Sequence, residues 1–340
     1  MPMREGGAVR SAAGARAGGV GAIKPPATLA DYVAIARPDH WIKHVFVLPG
    51  IVFAWALVPE WATDLSLGAI ALGLAAAAAI SSANYVINEW LDAPFDAYHP
   101  TKSSRPAVAK AMNPALVYLE YTLLAGFGLL AAAAVSRLCL FAALLFLLSG
   151  LVYNVEPLRS KDRAYLDVAT ESLNNPIRLL LGWAIVAPTT LPPSSLLLAY
   201  WMGGAFLMAV KRLAEYRTIV AAHGVESLGA YRRSFRYYTA DRLLVLSFLC
   251  ALLASFFIAI FLIKYRIEYL LSFPLFALLF ATYLRLGLKQ GSNAQTPERL
   301  FEERLLMTVV AVLVVALAVL TVVDIPSLGV LSGPHYLHLL

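Results

Sequence analysis

Charged residues are scarce in this chain of 340 residues. They make up 14% of the sequence, whereas 60% of the residues are hydrophobic and the mean hydropathy is +0.71. Soluble domains carry roughly 25% charged residues, so this composition argues against a soluble protein. The apolar residues also gather in runs of about 20, the length that a helix needs to cross a bilayer core. The sequence therefore predicts a protein that crosses the membrane several times.

Cysteine and export signals are also lacking. Both cysteines, Cys139 and Cys250, lie inside apolar runs, where cysteine is typical of a small core residue, so we expect neither a disulfide nor a cysteine-bound metal. Residues 1–28 contain no apolar run of the kind found in a cleaved signal peptide, and we expect a disordered cytoplasmic tail there. The net charge of +6 does not indicate a nucleic-acid partner, because excess Lys and Arg in a membrane protein reflect its orientation.

Nine segments have the length and composition of transmembrane helices, so the predicted fold is all-α. One side of the predicted bundle holds 23 of the 27 Lys and Arg residues, and basic loops are typical of the cytoplasmic side. The N-terminus is therefore predicted inside and the C-terminus outside, with a transmembrane domain over 29–325 and a short extracytoplasmic tail over 326–340. The predicted spans are about 43–59, 66–90, 114–135, 138–155, 166–187, 195–213, 243–264, 268–286 and 305–323.

The end of the second span carries acidic residues at helical spacing, in the stretch NEWLDAPFDAYHPTKSSRP. Asn88, Asp92 and Asp96 are four residues apart and would lie on one stripe about 12 Å long, with Glu89 about 100° away around the helix. Pro94 is expected to end or kink the helix, which would leave Asp96 on the first bend of the loop.

Carboxylates this close together repel one another and favour a bound cation. Mg²⁺ is commonly held by one or two carboxylates together with substrate phosphates. Lys102 and Arg105 follow at once and are suited to the outer phosphate oxygens. The stretch therefore predicts a diphosphate site at the cytoplasmic edge of the membrane; the alternative is a solvated loop with snorkelling charged side chains.

A second polar stretch covers residues 153–183. Asp167 and Glu171 are four residues apart at the start of the fifth span, and Asn174, Asn175 and Arg178 continue the same side. So many polar groups must face other helices or a cavity rather than lipid. The two acids would either bind a second Mg²⁺ across one diphosphate or, with Arg178, form a structural network. For Asn175 and Arg178, structural and substrate-binding roles remain equally open.

Further basic residues lie beside both polar stretches. Membrane anchoring explains Lys211 and Arg212, which end the sixth span before an aromatic-rich loop; covering a substrate is the alternative role of that loop. The remaining candidates for phosphate contacts are Lys43 and, in the short loop after Tyr153, Arg159 and Lys161.

These residues together resemble the UbiA-type intramembrane prenyltransferase superfamily, over roughly residues 30–325. The first family motif reads Asn-Asp-x-x-Asp-x-x-x-Asp, and here it is NEWLDAPFD, with Glu89 in place of the first Asp. The second has a Tyr, a basic residue and an Asp-x-x-x-Asp pair. It is matched here by Tyr153, Arg159 or Lys161, Asp167 and Glu171.

The resemblance implies nine transmembrane helices around a central cavity that opens to the cytoplasmic side under a polar cap. It also implies Mg²⁺-dependent transfer of a prenyl group from a polyprenyl diphosphate. Motif and spacing together predict metal ligands at Glu89, Asp92, Asp96, Asp167 and Glu171, catalytic roles for Asp92, Asp96, Asp167 and Tyr153, and substrate contacts from Asn88, Lys43, Lys102, Arg105, Arg159, Lys161, Asn175, Arg178, Lys211 and Arg212.

Three other stretches resemble a narrower branch of the superfamily. RPDHWIKHVFVLPG, HPTKSSRP and FLMAVKRLAEYR are similar to decaprenyl-phosphate phosphoribosyltransferases, which implies phosphoribosyl transfer from phosphoribosyl pyrophosphate to a polyprenyl phosphate. The predicted function is prenyl transfer to an unidentified small-molecule acceptor, with phosphoribosyl transfer as the alternative. A transporter of lipids or small molecules is disfavoured, because the charges gather at one membrane face. We expect an integral protein of a bacterial inner membrane.

Overall fold

The computed structural model describes residues 24–58, 60, 66–97, 102–289, 291–295 and 297–331. Within these ranges the regular elements are α- and 3₁₀-helices, and β-structure is limited to an isolated bridge between Pro26 and Ala111. The predicted all-α fold is confirmed. Most of the predicted N-terminal tail and the end of the predicted C-terminal tail lie outside the described residues.

Twelve α-helices lie in these ranges. Two 3₁₀ segments, Pro38–Val47 and Ile267–Ser272, lead into α2 and α11. The α-helices are α1 (Leu29–Ile35), α2 (Leu48–Leu57), α3 (Leu67–Asp96), α4 (Pro106–Ala109), α5 (Pro114–Val135), α6 (Arg137–Asn154), α7 (Leu166–Val186), α8 (Ser194–His223), α9 (Leu228–Tyr231), α10 (Ala240–Tyr265), α11 (Phe273–Gly287) and α12 (Arg304–Val322).

Short polar side chains begin four of the long helices. The side-chain oxygens of Ser66, Asn113, Ser136 and Thr239 each accept a hydrogen bond from a backbone N–H in the first turn of α3, α5, α6 and α10. These bonds satisfy one of the backbone donors that a helix start leaves without an intrahelical partner. The four residues therefore fix where these helices begin.

Eight helical segments in the described part of the chain are long and apolar enough to cross a membrane. α7 has 21 residues, about 31 Å of helix, but it carries Asp167, Glu171 and Arg178 and is not among the eight. The total of nine spans therefore stays a prediction. Large apolar side chains such as Val245 and Phe248 of α10 are exposed, as expected for helices that face lipid.

Pro94 does not end α3. The helix continues through it to Asp96, so Asp96 belongs to the helix and the expected position on the loop is wrong. A prolyl ring removes one backbone hydrogen bond, but neighbouring helices and local adjustment make this tolerable in membrane helices. Asp96 consequently stays in helical register with Asn88 and Asp92.

The helices pack in two groups on either side of a central cavity. α2, α3, α5, α6 and α7 form one group, and α8, α10, α11 and α12 form the other; α7 packs against α8 and joins them. Phe146 and Leu181 are part of the core of the first group, and Phe206 and Tyr283 are part of the core of the second.

Two glycines bring α2 and α7 into backbone contact. A Cβ on Gly50 would overlap the carbonyl oxygen of Leu179, and a Cβ on Gly182 would overlap that of Val47. Small residues allow this close approach between membrane helices. Since backbone atoms stand in the way, any larger residue at either position would push the two helices apart.

Candidate active site

The cavity between the two helix groups has a volume of about 1740 Å³. Its polar end, where α3 and α6 end and α7 begins, is called the basic end below. Away from this end, apolar side chains of α2 and α12, among them Val52 and Val314, line the walls. The central cavity expected from the fold is therefore present, and its two ends differ in polarity.

The first motif lies on one wall of the basic end. Asn88, Asp92 and Asp96 all line the cavity from the last turns of α3. The Nδ2 of Asn88 donates to the Oδ2 of Asp92 at 3.2 Å and also to the Oδ1 of Asn154 on α6. The helical spacing thus turns the three side chains toward the same space.

Asp92 is paired with both basic residues of the loop after α6. The Nη2 of Arg159 lies 2.8 Å and the Nζ of Lys161 lies 2.5 Å from its Oδ1. Arg159 and Lys161 also donate to Asn154, to its backbone oxygen at 3.0 Å and its Oδ1 at 2.9 Å. Both basic side chains are buried, so the second motif contributes two cations here rather than one.

Asp96 holds the basic residues that follow the first motif. The Nη1 of Arg105 lies 2.6 Å from its Oδ2, and the Nζ of Lys102 lies 3.7 Å from its Oδ1. Asp96 is itself buried. The residues predicted to contact outer phosphate oxygens therefore lie beside the acids of α3, at the same end of the cavity.

Glu89 points away from the cavity. It is 3% exposed, does not line the cavity, and lies against the backbone of Ala107. Its Oε1 is buried without a hydrogen-bond partner among the described residues. The step of about 100° per residue along a helix separates it from the neighbouring Asn88. The expected metal-ligand role of Glu89 therefore stays a prediction, and its position outside the cavity does not support it.

Glu171 reaches the cavity from α7. Its Oε2 accepts hydrogen bonds from the Tyr153 hydroxyl at 2.8 Å and from the Nη2 of Arg212 at 2.7 Å. Arg212 is 1% exposed and also pairs with Glu215 at 2.6 Å. The Nη2 of Arg232 donates to the Tyr153 hydroxyl at 2.7 Å. This hydroxyl therefore has a fixed donor on one side and a fixed acceptor on the other.

Asp167 lies behind this network and does not line the cavity. It is completely buried, and its oxygens accept from the Tyr238 hydroxyl at 2.6 Å and from the Ser234 Oγ at 3.1 Å. The Nε atoms of Arg212 and Arg232 lie 3.4 Å and 3.8 Å from its Oδ2. Asp167 thus holds the segment after α9 against α7, and its expected catalytic and metal-binding role stays a prediction.

The remaining predicted substrate contacts all line the cavity. They are Lys43, Asn175, Arg178 and Lys211. Asn175 packs closely on Gly204, where an added Cβ would overlap its amide, and Arg178 lies over the ring of Phe146 at 5.0 Å. The structure thus brings every predicted site residue to one cavity except Glu89 and Asp167.

Several cavity residues were missed by sequence reasoning. Arg232, Arg233 and Arg236, from the segment after α9, line the cavity, and the Nη1 of Arg233 lies 3.2 Å from the Oδ2 of Asp162. The run YRRSFR contains three arginines in six residues, and this density was the available signal. Glu215 carried no such signal, because an acid three residues after Arg212 is ordinary on any helix.

Positive charge exceeds negative charge in the cavity. Among the described residues, twelve Lys and Arg side chains line it, against five carboxylates. A cavity with one sign of charge attracts ligands of the opposite sign, so this site fits polyanionic ligands. The basic residues are Arg37, Lys43, Lys102, Arg105, Arg159, Lys161, Arg178, Lys211, Arg212, Arg232, Arg233 and Arg236, and the acids are Asp92, Asp96, Asp162, Glu171 and Glu215.

Burial changes the titration of two loop lysines. Loss of contact with water lowers the pKa of Lys161 to about 8, although nearby Asp92 opposes the change. Burial also lowers the pKa of Lys102, against the effect of Asp96. Desolvation disfavours the charged form of a lysine. Lys161 is therefore charged at neutral pH and loses its charge slightly above it.

Oxygen ligands for a cation are available on α3. In the part of the chain that the structure describes, no group of three or more His, Cys, Asp or Glu residues is arranged to hold a metal ion. Asn88, Asp92 and Asp96 nevertheless present amide and carboxylate oxygens on one wall. This set fits a Mg²⁺ ion held by one or two carboxylates together with substrate oxygens.

Comparison with known proteins identifies the family. The model of the UbiA prenyltransferase family matches residues 45–309. A decaprenyl-phosphate phosphoribosyltransferase from Mycobacterium tuberculosis strain H37Rv is 28% identical over 223 residues, which cover 65% of this chain and 70% of that protein. The nodulation protein NoeC of Azorhizobium caulinodans is 27% identical over 185 residues, which cover 54% of this chain and 57% of that protein.

Solved structures share the fold. A UbiA homologue from Archaeoglobus fulgidus, bound to DMAPP and Mg²⁺, has a TM-score of 0.65 at 21% identity, over 86% of this chain and 100% of that chain. Digeranylgeranylglyceryl phosphate synthase has a TM-score of 0.60 at 15% identity, over 86% and 98%. With the family model matching most of its length, this chain belongs to the UbiA prenyltransferase family and is an integral membrane transferase.

Proposed function

We propose that this chain transfers a phosphoribosyl group from phosphoribosyl diphosphate to a polyprenyl phosphate, at the cytoplasmic face of a bacterial inner membrane. The excess of basic side chains in the cavity carries the proposal. A prenyl diphosphate brings one anionic group, whereas phosphoribosyl diphosphate brings a diphosphate and a phosphate, and the acceptor brings another phosphate. Twelve basic residues against five acids suit three anionic groups better than one. Relatives named decaprenyl-phosphate phosphoribosyltransferase support the same reaction.

The donor diphosphate would bind at the basic end. Arg159, Lys161 and Arg212 are buried there and are held by carboxylates before the substrate arrives. Cations fixed in advance stabilise the charge that develops on a leaving group without having to reorganise. Asn88, Asp92 and Asp96 would hold Mg²⁺, which as a Lewis acid neutralises charge on the diphosphate oxygens.

The proposed reaction exchanges one bond at the anomeric carbon. An oxygen of the acceptor phosphate attacks C1 of the ribose, the bond from C1 to the diphosphate oxygen breaks, and the diphosphate leaves with the bonding electrons. The acceptor needs no general base, because a phosphate monoester is largely ionised near pH 7. The chain's contribution is therefore to place cations and to orient the two substrates, with the Tyr153 hydroxyl fixed between Arg232 and Glu171.

The apolar part of the cavity would hold the isoprenoid chain of the acceptor. Val52 of α2 and Val314 of α12 line the cavity and are exposed. A hydrocarbon chain lying along these walls would bury no polar groups. This arrangement supports a lipid substrate whose charged head alone enters the basic end.

Prenyl transfer from a polyprenyl diphosphate is the second candidate. The Archaeoglobus fulgidus homologue, solved with DMAPP and with GPP in the presence of Mg²⁺, favours it. The same diphosphate site would serve both donors, because both reactions release diphosphate from a carbon that develops positive charge. The donors differ in what that carbon belongs to, a sugar phosphate or a hydrocarbon chain.

Parallel reactions with the two donors separate these candidates. Purified protein with Mg²⁺ receives either labelled phosphoribosyl diphosphate with decaprenyl phosphate, or labelled geranyl diphosphate with a membrane lipid extract. We expect mass spectrometry to find the phosphoribosyl adduct of decaprenyl phosphate. Label in a prenylated product of the second reaction, with none in the first, would overturn the proposal in favour of prenyl transfer. The variant Asp92→Asn is the inactive control for both reactions.

A further inference from the structure

Arg178 is a buried cation that the diphosphate site does not use. It lies on α7, lines the cavity and is 8% exposed. In the part of the chain that the structure describes, its guanidinium makes no hydrogen bond or ion pair, and its Nε is buried without a partner. Its contact is the face of the Phe146 ring, at 5.0 Å. Ionisable residues within membrane spans are costly and mark functional sites, and a ring face compensates only part of that cost.

The helix rise gives the depth of the Arg178 backbone. Arg178 follows Glu171 by seven residues on α7. At a rise of 1.5 Å per residue, its Cα lies about 10 Å farther along the helix, away from the basic end. Arg178 therefore lines the same cavity as Glu171 but at a greater depth.

A second polar group at this depth also lacks a partner. The Nδ2 of Asn84 donates to the backbone oxygen of Phe146 at 2.9 Å, and its Oδ1 is buried with no hydrogen-bond partner among the described residues. Asn84 lines the cavity, as Arg178 does. The Oδ1 of Asn84 packs against Gly150 and is an acceptor, so it does not bind phosphate oxygens. Among the residues that the structure describes, the donor without a partner at this level is Arg178, and a buried donor of this kind calls for an acceptor ligand.

We propose that Arg178 binds the phosphate monoester of one of the two substrates, on the side of the diphosphate site that lies farther from the basic end. The inference rests on the proposed function, because phosphoribosyl transfer supplies two such groups, the phosphate of the acceptor lipid and the phosphate on the ribose of the donor. Arginine suits this role, since its planar fork can donate two parallel hydrogen bonds to phosphate oxygens. Binding of the phosphate would also supply the missing counter-ion.

The test compares ligands that differ by one phosphate group. Farnesyl phosphate, farnesol and phosphoribosyl diphosphate are each titrated by calorimetry into the detergent-solubilised protein, as wild type, Arg178→Met and Arg178→Lys. Arg285→Met is the control, because Arg285 is exposed on α11. Thermal unfolding of each variant checks that it is folded.

We expect Arg178→Met to weaken the binding of one of the two phosphorylated ligands by about 10- to 100-fold, the range for a lost hydrogen bond to a charged group. Arg178→Lys should lose less affinity for that ligand, and farnesol binding should not change. Weaker binding of farnesyl phosphate assigns Arg178 to the acceptor, and weaker binding of phosphoribosyl diphosphate assigns it to the donor. Unchanged binding of both, or equal loss of farnesol and farnesyl phosphate, would overturn the inference.

The wild-type titrations judge the proposed function separately. If wild-type protein does not bind phosphoribosyl diphosphate, the proposed reaction fails, whatever the variants do. If it binds phosphoribosyl diphosphate and the Arg178 variants bind all ligands as wild type does, the proposed reaction stands and the role of Arg178 fails.

Discussion

The Nζ of Lys161 lies 2.5 Å from the Oδ1 of Asp92, a contact that joins the loop after α6 to the end of α3. Each group neutralises the other in the absence of substrate. A diphosphate bound beside them would offer Lys161 a second anion, and a cation bound to Asp92 would replace part of the charge that Lys161 provides. Through this pair, side chains of both motifs would contact the same bound diphosphate.

Removal of the Asp92 charge tests its place in the reaction. We expect Asp92→Asn to lower kcat/KM by about 10²- to 10³-fold, the usual effect of losing one electrostatic group aimed at the reacting charge. The matched control is Asp241→Asn, at the exposed start of α10, which should turn over as wild type does. Wild-type turnover by the folded Asp92→Asn protein would remove Asp92 from the site.

Glu89 provides a contrast on the same helix. Since its side chain is buried outside the cavity, we expect Glu89→Gln to change kcat/KM by about threefold or less. The amide has nearly the same shape and carries no charge to bury, so stability should be equal or higher. Steady-state kinetics of Glu89→Gln beside Asp96→Asn checks this. If both variants lose activity alike, the family motif describes Glu89 better than the structure does.

The pKa of Lys161, lowered to about 8 by burial, predicts a pH dependence. Lys161 is charged below that pH and neutral above it, so kcat/KM for the donor should fall as pH rises through about 8. This ratio reports groups of the free enzyme. In Lys161→Arg the side chain keeps its charge over the whole range, and the decline should disappear. A decline that persists in Lys161→Arg would assign the titration to another group.

Asp167 is predicted to matter for stability. Asp167→Asn would leave Arg232 without the acid that lies beside it, although Arg212 would keep Glu171 and Glu215. Breaking a buried ion pair in this way costs about 3–5 kcal/mol. Thermal and denaturant unfolding in detergent should show this loss. The control Glu302→Gln breaks an exposed pair with Arg299, for which at most about 1 kcal/mol is expected. Equal stability of both variants would contradict the structural role of Asp167.

Chelation tests the metal independently of any mutation. We expect EDTA to stop transfer and added Mg²⁺ to restore it, because substrate and α3 together provide the ligands. Asp96→Asn should raise the Mg²⁺ concentration needed for half-maximal activity. Activity that persists after chelation would count against the cation site on α3.

Local spacing was enough to place the first motif. Positions four apart lie on one face of a helix, and Asn88, Asp92 and Asp96 share a wall of the cavity. The same geometry places Glu89 about 100° away, yet motif and spacing together predict it as a ligand. The expected helix end at Pro94 failed, because neighbouring helices tolerate a missing backbone hydrogen bond.

Contacts between distant segments of the chain could not be predicted from the sequence. Asp167 and Glu171 lie four apart on α7 and looked equivalent, but Asp167 is taken up by Ser234 and Tyr238 from a distant segment. Spacing along one helix says nothing about which side chains of another segment arrive there. Likewise, Pro38–Val47 forms a 3₁₀ segment before α2, where hydrophobicity alone predicted one continuous span from about residue 43.

The contact of Gly50 and Gly182 with the backbone of the facing helix has a consequence for the width of the cavity. Helices that touch backbone to backbone have no side chains between them to repack, so the separation of α2 and α7 is fixed whether the cavity is empty or full. A bulky lipid would therefore find its room by movement of other helices, such as α12, which contacts α11 and Ile267–Ser272. The packing of α2 against α7 would stay fixed, and α12 would be the helix that moves to admit the lipid.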